Sequence, residues 1–287
     1  MERWLDEVRA RALPGGGFAD RRGGRYRPDA TAWAIIALSV GRQGDGGLLD
    51  EARLRLAQDQ LADGRVSISR DHPEVIWPTS LAILAWQRAP ACRALLSKAT
   101  TFLAGAHGLH WNRPPRAPIA HDTAILGWPW VSGAHSWVEP TGLAITALRT
   151  AGMSDHPRVR EGIRLLLDRQ LPSGGWNYGN TLVFNHEQWP CPECTGVVLQ
   201  ALVGLVPRAQ IQRSLDYLSN HIGQLRTPLS LGWSLLGVSS WDDYPREADG
   251  WVKTTLEREA RYGGYDTPAL CLLLRAGLAP GGLARPT

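Results

Sequence analysis

The sequence contains little lysine and no dense cluster of basic residues. Lysine occurs only at Lys98 and Lys253, so arginine supplies almost all of the 31 basic side chains. The net charge is +4, but no run of five or six basic residues marks a tail for nucleic acid. We therefore expect no nucleic-acid partner.

Long apolar runs and a secretion signal are also missing. No uninterrupted apolar stretch reaches the ~18–20 residues that a membrane-spanning helix needs. The first residues, Met1–Asp6, mix charges and lack an apolar signal core. Four cysteines are too few to hold a chain of 287 residues together by disulfides. These absences predict a cytoplasmic protein and leave peripheral contact with a membrane open.

Tryptophan, in contrast, is abundant. The chain has 13 Trp against 3 Phe and 6 Tyr. Each Trp supplies a large apolar face and one hydrogen-bond donor, and most buried Trp side chains belong to a core. The same excess suits a cavity for a long apolar or a cationic ligand.

One pattern recurs six times: an acid or a proline, then Thr or Ser, then an apolar helix of small residues. Its Thr or Ser positions are Thr31, Thr79, Thr141, Thr195, Ser230 and Thr267. Such helices are apolar nearly all round, which predicts burial on every side. Amphipathic segments alternate with them at 3–12, 49–61, 93–103, 159–170, 210–221 and 250–258. The alternation predicts an all-α closed double ring of six helical hairpins, with residues 1–287 as a single domain. Gly41 and Gly152, directly after inner helices, suit left-handed caps.

Three segments carry a resemblance to a known group. Segment 170–176, Gln-Leu-Pro-Ser-Gly-Gly-Trp, resembles the Gln-Trp repeat of squalene and oxidosqualene cyclases. Segments 29–33 and 139–143 resemble the helix starts of those cyclases and of protein prenyltransferase β-subunits. The resemblance covers most of the chain and implies an α/α toroid of the prenyltransferase and squalene-cyclase superfamily. Squalene cyclases carry two such domains, and this chain has room for one.

Acidic residues precede four of the Thr positions. In a ring of hairpins the inner helices run parallel, so Asp29, Glu139, Glu193 and Asp266 are expected at one rim. Two roles are open. A carboxylate in the first turn caps a helix, whereas a carboxyl group in an apolar cavity has a raised pKa and serves as a general acid.

The resemblance implies which acid would start a reaction. Class II terpenoid cyclases protonate an alkene or an epoxide with the middle acid of an Asp-x-Asp-Asp motif. Segment 27–32, Arg-Pro-Asp-Ala-Thr-Ala, keeps the middle acid as Asp29, and segment 120–124 keeps a last acid as Asp122. Asp29 is therefore the first candidate, with Asp122 or Glu139 second and Glu193 as a further rim acid.

Substrate contacts are predicted from the tryptophans near the rim. The candidates are Trp33, Trp77, Trp128, Trp130, Trp137, Trp176 and Trp189. The long segment 111–137 brings three of them beside one helix start, either as a lid over an isoprenoid or as a brace between hairpins. Helix N-termini favour a diphosphate head group, and Arg27 is placed to assist.

A zinc site is a second possibility. Cys191 and Cys194 form a Cys-x-x-Cys pair, which is half of a zinc site, or they are two incidental cysteines. Protein prenyltransferases, which resemble this chain in part, complete their site with a His in the last repeat, where Asp266 stands here. Zinc bound by Cys191, Cys194 and either Asp266 or His186 is chemically sensible.

Three functions follow from these patterns. The first is binding, or acid-initiated cyclisation or isomerisation, of a terpenoid, and it needs no cofactor. The second is zinc-dependent prenyl transfer, which would also require a partner subunit. The third is a non-catalytic toroid that serves as a binding or scaffold protein.

Overall fold

The computed structural model describes residues 1–40 and 45–283. The helices in these ranges are α1 (Glu2–Arg9), α2 (Pro28–Leu38), α3 (Gly46–Ala57), α4 (Pro78–Trp86), α5 (Arg93–Gly105), α6 (Val138–Thr150), α7 (Pro157–Asp168), α8 (Pro192–Leu202), α9 (Arg208–His221), α10 (Pro228–Ser239), α11 (Ala248–Glu257), α12 (Glu259–Tyr262) and α13 (Thr267–Leu278). A hairpin of two short strands, β1 (Leu182–Val183) and β2 (His186–Glu187), precedes α8. No helix in the described ranges has the length and apolar character needed to cross a bilayer.

Six helices form an inner ring: α2, α4, α6, α8, α10 and α13. All eleven residues of α2 are buried, as expected for a helix without a polar stripe. The outer helices bury one face each, and α1, for example, buries only Leu5 and Val8. The predicted alternation of outer and inner helices is confirmed.

The ring is closed by contacts between its first and last hairpins. Each inner helix packs on the next one, and α13 packs back onto α2. Arg11 Nη1 donates to Tyr265 O at 3.0 Å and to Thr267 Oγ1 at 3.2 Å. Thr267 Oγ1 in turn donates to Ala19 O at 2.6 Å. The fold is therefore the predicted α/α toroid.

The repeated Thr anchors the loop that leads into its helix. In four inner helices the Thr Oγ1 accepts a backbone N–H at 2.9–3.0 Å from a preceding loop residue. The pairs are Thr31 with Phe18, Thr79 with Val66, Thr141 with Trp128, and Thr195 with Trp176. The hydroxyl thereby pairs with a buried backbone N–H group that lies outside the helices and strands. Ser230 does not share this role.

A tight turn containing glycine precedes three of the loop residues whose N–H groups donate to Thr: Phe18, Val66 and Trp176. Gly16, Gly64 and Gly174 adopt φ values of +81°, +97° and +104°. A Cβ atom on Gly174 would lie 2.5 Å from Arg213 O, so a side chain is excluded there. The same turn thus occurs at 13–18, 61–66 and 171–176. The first two copies were not predicted, because Phe18 and Val66 stand where the third copy has Trp176.

At the opposite end of the ring, the segment 279–283 packs against the ends of α8, α10 and α13. Arg275, only 3% exposed, donates through Nη2 to Gly282 O at 2.7 Å. Leu283 N donates to Oε1 of the fully buried Gln200 at 3.0 Å. Gly152 has the predicted left-handed conformation after α6, while Gly41 lies outside the described residues.

Candidate active site

A cavity of about 300 Å³ lies inside the ring, where the inner helices begin. Its walls come from α2, α4, α6, α10 and the start of α13, together with the loop residue Trp130. Apart from two carboxyl groups, Glu139 and Asp266, the lining is aromatic or aliphatic. Two of the four predicted rim acids thus lie in one apolar cavity.

Four tryptophans line this cavity as two edge-to-face pairs. The ring centroids of Trp33 and Trp233 are 5.5 Å apart, and those of Trp77 and Trp130 are 6.0 Å apart. Indole π systems stabilise a positive charge placed over them. Trp233 was not predicted, although it and Trp33 both follow a helix-opening proline by five residues. That shared offset could have identified it.

Glu139 is the second residue of α6, and its carboxyl group accepts no hydrogen bond from the described residues. Burial, with a smaller contribution from the charge of Glu193, raises the pKa of Glu139 to about 7. A protonated carboxyl group is therefore available here at neutral pH. The carboxyl group of Glu139 is thus placed to donate a proton to a molecule bound in the apolar cavity.

The other two rim acids near Glu139 already have partners. Asp266 lines the same cavity, but its Oδ1 accepts the N–H of Ala269 at 2.9 Å and caps α13. Glu193, at the equivalent position of α8, accepts a hydrogen bond from Ser230 Oγ. Both acids add negative charge to this end of the ring.

Asp29 and Asp122 do not line the central cavity. Asp29 is only 3% exposed, and Arg27 holds both its oxygens, through Nε at 2.9 Å and Nη2 at 2.6 Å. This paired contact also raises the pKa of Arg27. Asp122 lies on the long loop, where its Oδ1 accepts the N–H of Ala124 at 2.9 Å.

The remaining predicted tryptophans lie outside the central cavity. Trp128 and Trp176 are buried braces whose indole N–H groups donate to Leu103 O and Leu166 O, each at 2.7 Å. Trp137 faces a separate cavity under the long loop. Trp189 is 88% exposed.

The four residues proposed for zinc do not converge. Cys191 caps α8, its Sγ accepting the N–H of Cys194 at 3.3 Å. His186 is exposed on β2, and Asp266 caps α13. Among the described residues, no group of three or more His, Cys, Asp or Glu side chains is arranged to hold a metal ion. The residues present do not fit the predicted zinc site, because only the two cysteines are adjacent.

Comparison with known proteins establishes the fold. No family model and no curated protein matches the chain. An α-1,6-mannanase, GH76A of Salegentibacter sp. HEL1_6, matches with a TM-score of 0.65 and 11% identity over 96% of this chain and 97% of that one. The type II terpene cyclase MstE from Scytonema, in complex with geranylgeranyl dihydroxybenzoate, matches with a TM-score of 0.62 and 12% identity over 96% of each chain. A protein from Actinoplanes matches with a TM-score of 0.60 and 18% identity over 92% of this chain and 81% of that one. At these identities the likeness shows the α/α toroid and nothing finer.

Proposed function

We propose that this chain acts on an isoprenoid in the central cavity, with Glu139 as the proton donor of a class II type cyclisation or isomerisation. The observation that carries the proposal is a carboxyl group with a pKa of about 7 in a cavity walled by four tryptophans. The terpene cyclase MstE, a toroid of similar structure, holds a geranylgeranyl compound as its substrate. Membership of the squalene-cyclase superfamily is part of the same proposal.

The reaction begins with transfer of the Glu139 proton to the substrate. As the Glu139 O–H bond breaks, the proton joins an epoxide oxygen or an alkene carbon. The epoxide C–O bond or the alkene π bond breaks in turn, and the positive charge develops on the more substituted carbon. In a cyclisation, the π electrons of another double bond in the chain then form the new C–C bond to that carbon. The π systems of Trp33, Trp77, Trp130 and Trp233 stabilise the cation by about 1–2 kcal/mol each when desolvated. Loss of a proton from the cyclised cation, with the Glu139 carboxylate as acceptor, returns the acid to its starting state.

The acid strength of Glu139 favours an activated substrate. A raised pKa makes the protonated carboxyl group available at neutral pH, but it also makes the acid weaker. Opening an epoxide demands less acid strength than protonating an isolated alkene. An epoxidised prenyl chain is therefore the substrate that this site fits best.

The mannanase likeness suggests a second use for two acids in one cavity. Glycoside hydrolysis employs a pair of carboxyl groups on either side of the scissile bond, and Glu139 and Asp266 both line this cavity. The rest of the lining provides no amide or hydroxyl side chain for sugar hydroxyls. The lining therefore favours an isoprenoid over an oligosaccharide.

The test compares wild-type protein with Glu139→Gln on epoxidised geranylgeraniol, geranylgeraniol and α-1,6-mannotriose, with products identified by mass spectrometry. We expect cyclised products from the epoxide and a loss of at least about 100-fold in Glu139→Gln, since a general acid contributes about 10²–10⁴-fold. Glu193→Gln is the matched control and should keep most of the rate. Equal rates in Glu139→Gln and wild type, or hydrolysis of mannotriose alone, would contradict the proposal. Isoprenoid binding without turnover would instead support a non-catalytic role.

A further inference from the structure

The cysteine pair at the start of α8 has no part in the proposed acid chemistry, yet the fold brings its two side chains together. Cys191 is the N-cap residue of α8, and Cys194 lies three residues later in the first turn. Cys191 Sγ accepts the backbone N–H of Cys194 at 3.3 Å. The two side chains also hydrogen-bond to each other, and both are free thiols. The pair is therefore two reduced cysteines in direct contact.

The main chain at this pair has the geometry that a disulfide needs. Cα atoms three residues apart in a helical turn are separated by about 5 Å, and disulfides join Cα atoms that are about 4.4–6.8 Å apart. Hydrogen bonds also fix the backbone of Cys191. Its N–H donates to Trp176 O at 2.8 Å, and its carbonyl oxygen accepts the N–H and the hydroxyl group of Thr195 at 3.0 and 2.8 Å. A disulfide here therefore requires little movement of the main chain.

The two thiols differ in their accessibility. Cys194 is fully buried, whereas Cys191 is partly exposed and follows the surface residue Trp189, which is 88% exposed. Because the N–H and the carbonyl oxygen of Cys191 are hydrogen-bonded within the fold, the accessible part of this residue is largely its side chain. A reagent in solution therefore reaches Cys191 before it reaches Cys194.

Protonation favours the same order of reaction. A hydrogen bond to Cys191 and burial raise the pKa of Cys194, and the negative charges of two glutamates, Glu139 and Glu193, act in the same direction. Cys194 therefore remains a protonated thiol until its neighbour has reacted. A backbone N–H at a helix N-terminus, in contrast, is a donor that stabilises a thiolate. Cys191 is thus the cysteine that attacks, and Cys194 is the one that completes the exchange.

We propose that Cys191 and Cys194 form a reversible dithiol–disulfide site that exchanges with a low-molecular-weight disulfide such as oxidised glutathione. The Cys191 thiolate attacks one sulfur of the external disulfide, whose S–S bond breaks and releases one thiolate. The Cys194 sulfur then loses its proton and attacks Cys191 Sγ, which releases the second thiolate. Each released thiolate takes up one of the two protons that the protein thiols lose. The protein pair is oxidised, the external disulfide is reduced, and the exchange does not depend on the reaction at Glu139.

The test follows the oxidation of the full chain by oxidised glutathione. Trypsin cleaves after Arg169 and Arg208, so both cysteines of the pair lie in one peptide, 170–208. Blocking of free thiols with N-ethylmaleimide, followed by mass spectrometry, distinguishes the disulfide form of this peptide from the form with two blocked thiols. We expect the disulfide form to predominate in excess oxidised glutathione and to disappear on addition of dithiothreitol. The buried Cys92 and Cys271 are internal controls and should react at least about tenfold more slowly.

Two variants separate the steps of the exchange. Cys194→Ser should accumulate a mixed disulfide between Cys191 and glutathione, because the second step is lost. Cys191→Ser should take up glutathione at least about tenfold more slowly than Cys194→Ser, because its remaining thiol is buried. The wild-type measurement decides the matter if either variant fails to fold. Two free thiols in the 170–208 peptide of folded wild type, a disulfide that forms only in urea, or oxidation of Cys92 or Cys271 as fast as that of Cys191 would each overturn the proposal.

Discussion

Asp29 and Glu139 occupy the second position of two inner helices, yet their surroundings give them different properties. Asp29 follows Arg27 by two residues and is bound by its guanidinium. The residue two before Glu139 is Trp137, which supplies no charge. The sequence therefore distinguishes the two acids by the residue two positions before each. The resemblance to the Asp-x-Asp-Asp motif, in contrast, favours Asp29 as the proton donor. Burial of Glu139 depends on tertiary packing and was not visible in any local pattern.

The buried acid at Glu139 should make stability depend on pH. The unfolded chain ionises this side chain near its ordinary pKa of 4.5, whereas the folded protein resists ionisation up to about pH 7. The folded state therefore loses stability between these values. Glu139→Gln should be more stable than wild type by about 1–3 kcal/mol at pH 8 and nearly equal to it at pH 4. Urea unfolding at both pH values checks this, and a larger gain at pH 4 would show that the sign is wrong.

Loss of the Arg27–Asp29 pair should lower the stability of the fold and have little effect on the proposed reaction. Asp29→Asn leaves Arg27 without its charged partner and should lower the free energy of unfolding by about 1–3 kcal/mol. Turnover of an accepted isoprenoid by the folded fraction should stay close to that of wild type, because Asp29 does not line the central cavity. Loss of turnover in Asp29→Asn that is properly folded by circular dichroism would restore Asp29 as the acid.

At the scale of elements, helix type and order were predictable because each inner helix is apolar all round and each outer helix has a charged face. The segment 106–137 was not predictable. It has no hydrophobic period, and its path depends on distant contacts such as the hydrogen bond between Trp128 and Thr141. The second cavity, about 270 Å³ in volume and lined largely by this segment, was not predicted for the same reason.

The inner helices α8 and α10 approach each other closely. A Cβ atom on Gly196 would lie 2.2 Å from Trp233 O, and one on Gly237 would lie 2.7 Å from the Cα of Gly196. Both glycines are therefore required by helix spacing rather than by backbone conformation.

Gly196→Ala should force α8 and α10 apart and lower the free energy of unfolding by about 1–3 kcal/mol or more. It should also shift Trp233, which the near-ultraviolet circular dichroism spectrum reports. Gly250→Ala is the matched control, because a Cβ atom there meets nothing within 4 Å. Equal stability of the two variants would contradict the close packing.

At the scale of the molecule, the ring joins residues more than 240 positions apart. Arg11, only 4% exposed, connects the first outer helix to the start of α13. Since closure ties every hairpin to two neighbours, we predict that the chain unfolds as one domain in a single transition. The repeat predicted a ring and contains Thr267, whereas Arg11, its hydrogen-bond partner in closing the ring, lies outside the repeat.

Arg11→Leu should remove this closure and lower the free energy of unfolding by about 2–4 kcal/mol, because Thr267 and the Tyr265 carbonyl lose a buried donor. Far- and near-ultraviolet signals should still change together in the variant. Two separated transitions in wild-type protein would contradict a single domain, and an unchanged midpoint in Arg11→Leu would contradict its role in closure.

The segment 279–283 has an energetic consequence. It fastens the last inner helix to the fourth, because Arg275 Nη2 donates to Gly282 O and Leu283 N donates to Gln200 Oε1. A chain shortened to end at Leu278 would leave these two buried side chains without those partners. It should therefore unfold at a lower urea concentration than the full chain, with a loss of about 1–3 kcal/mol.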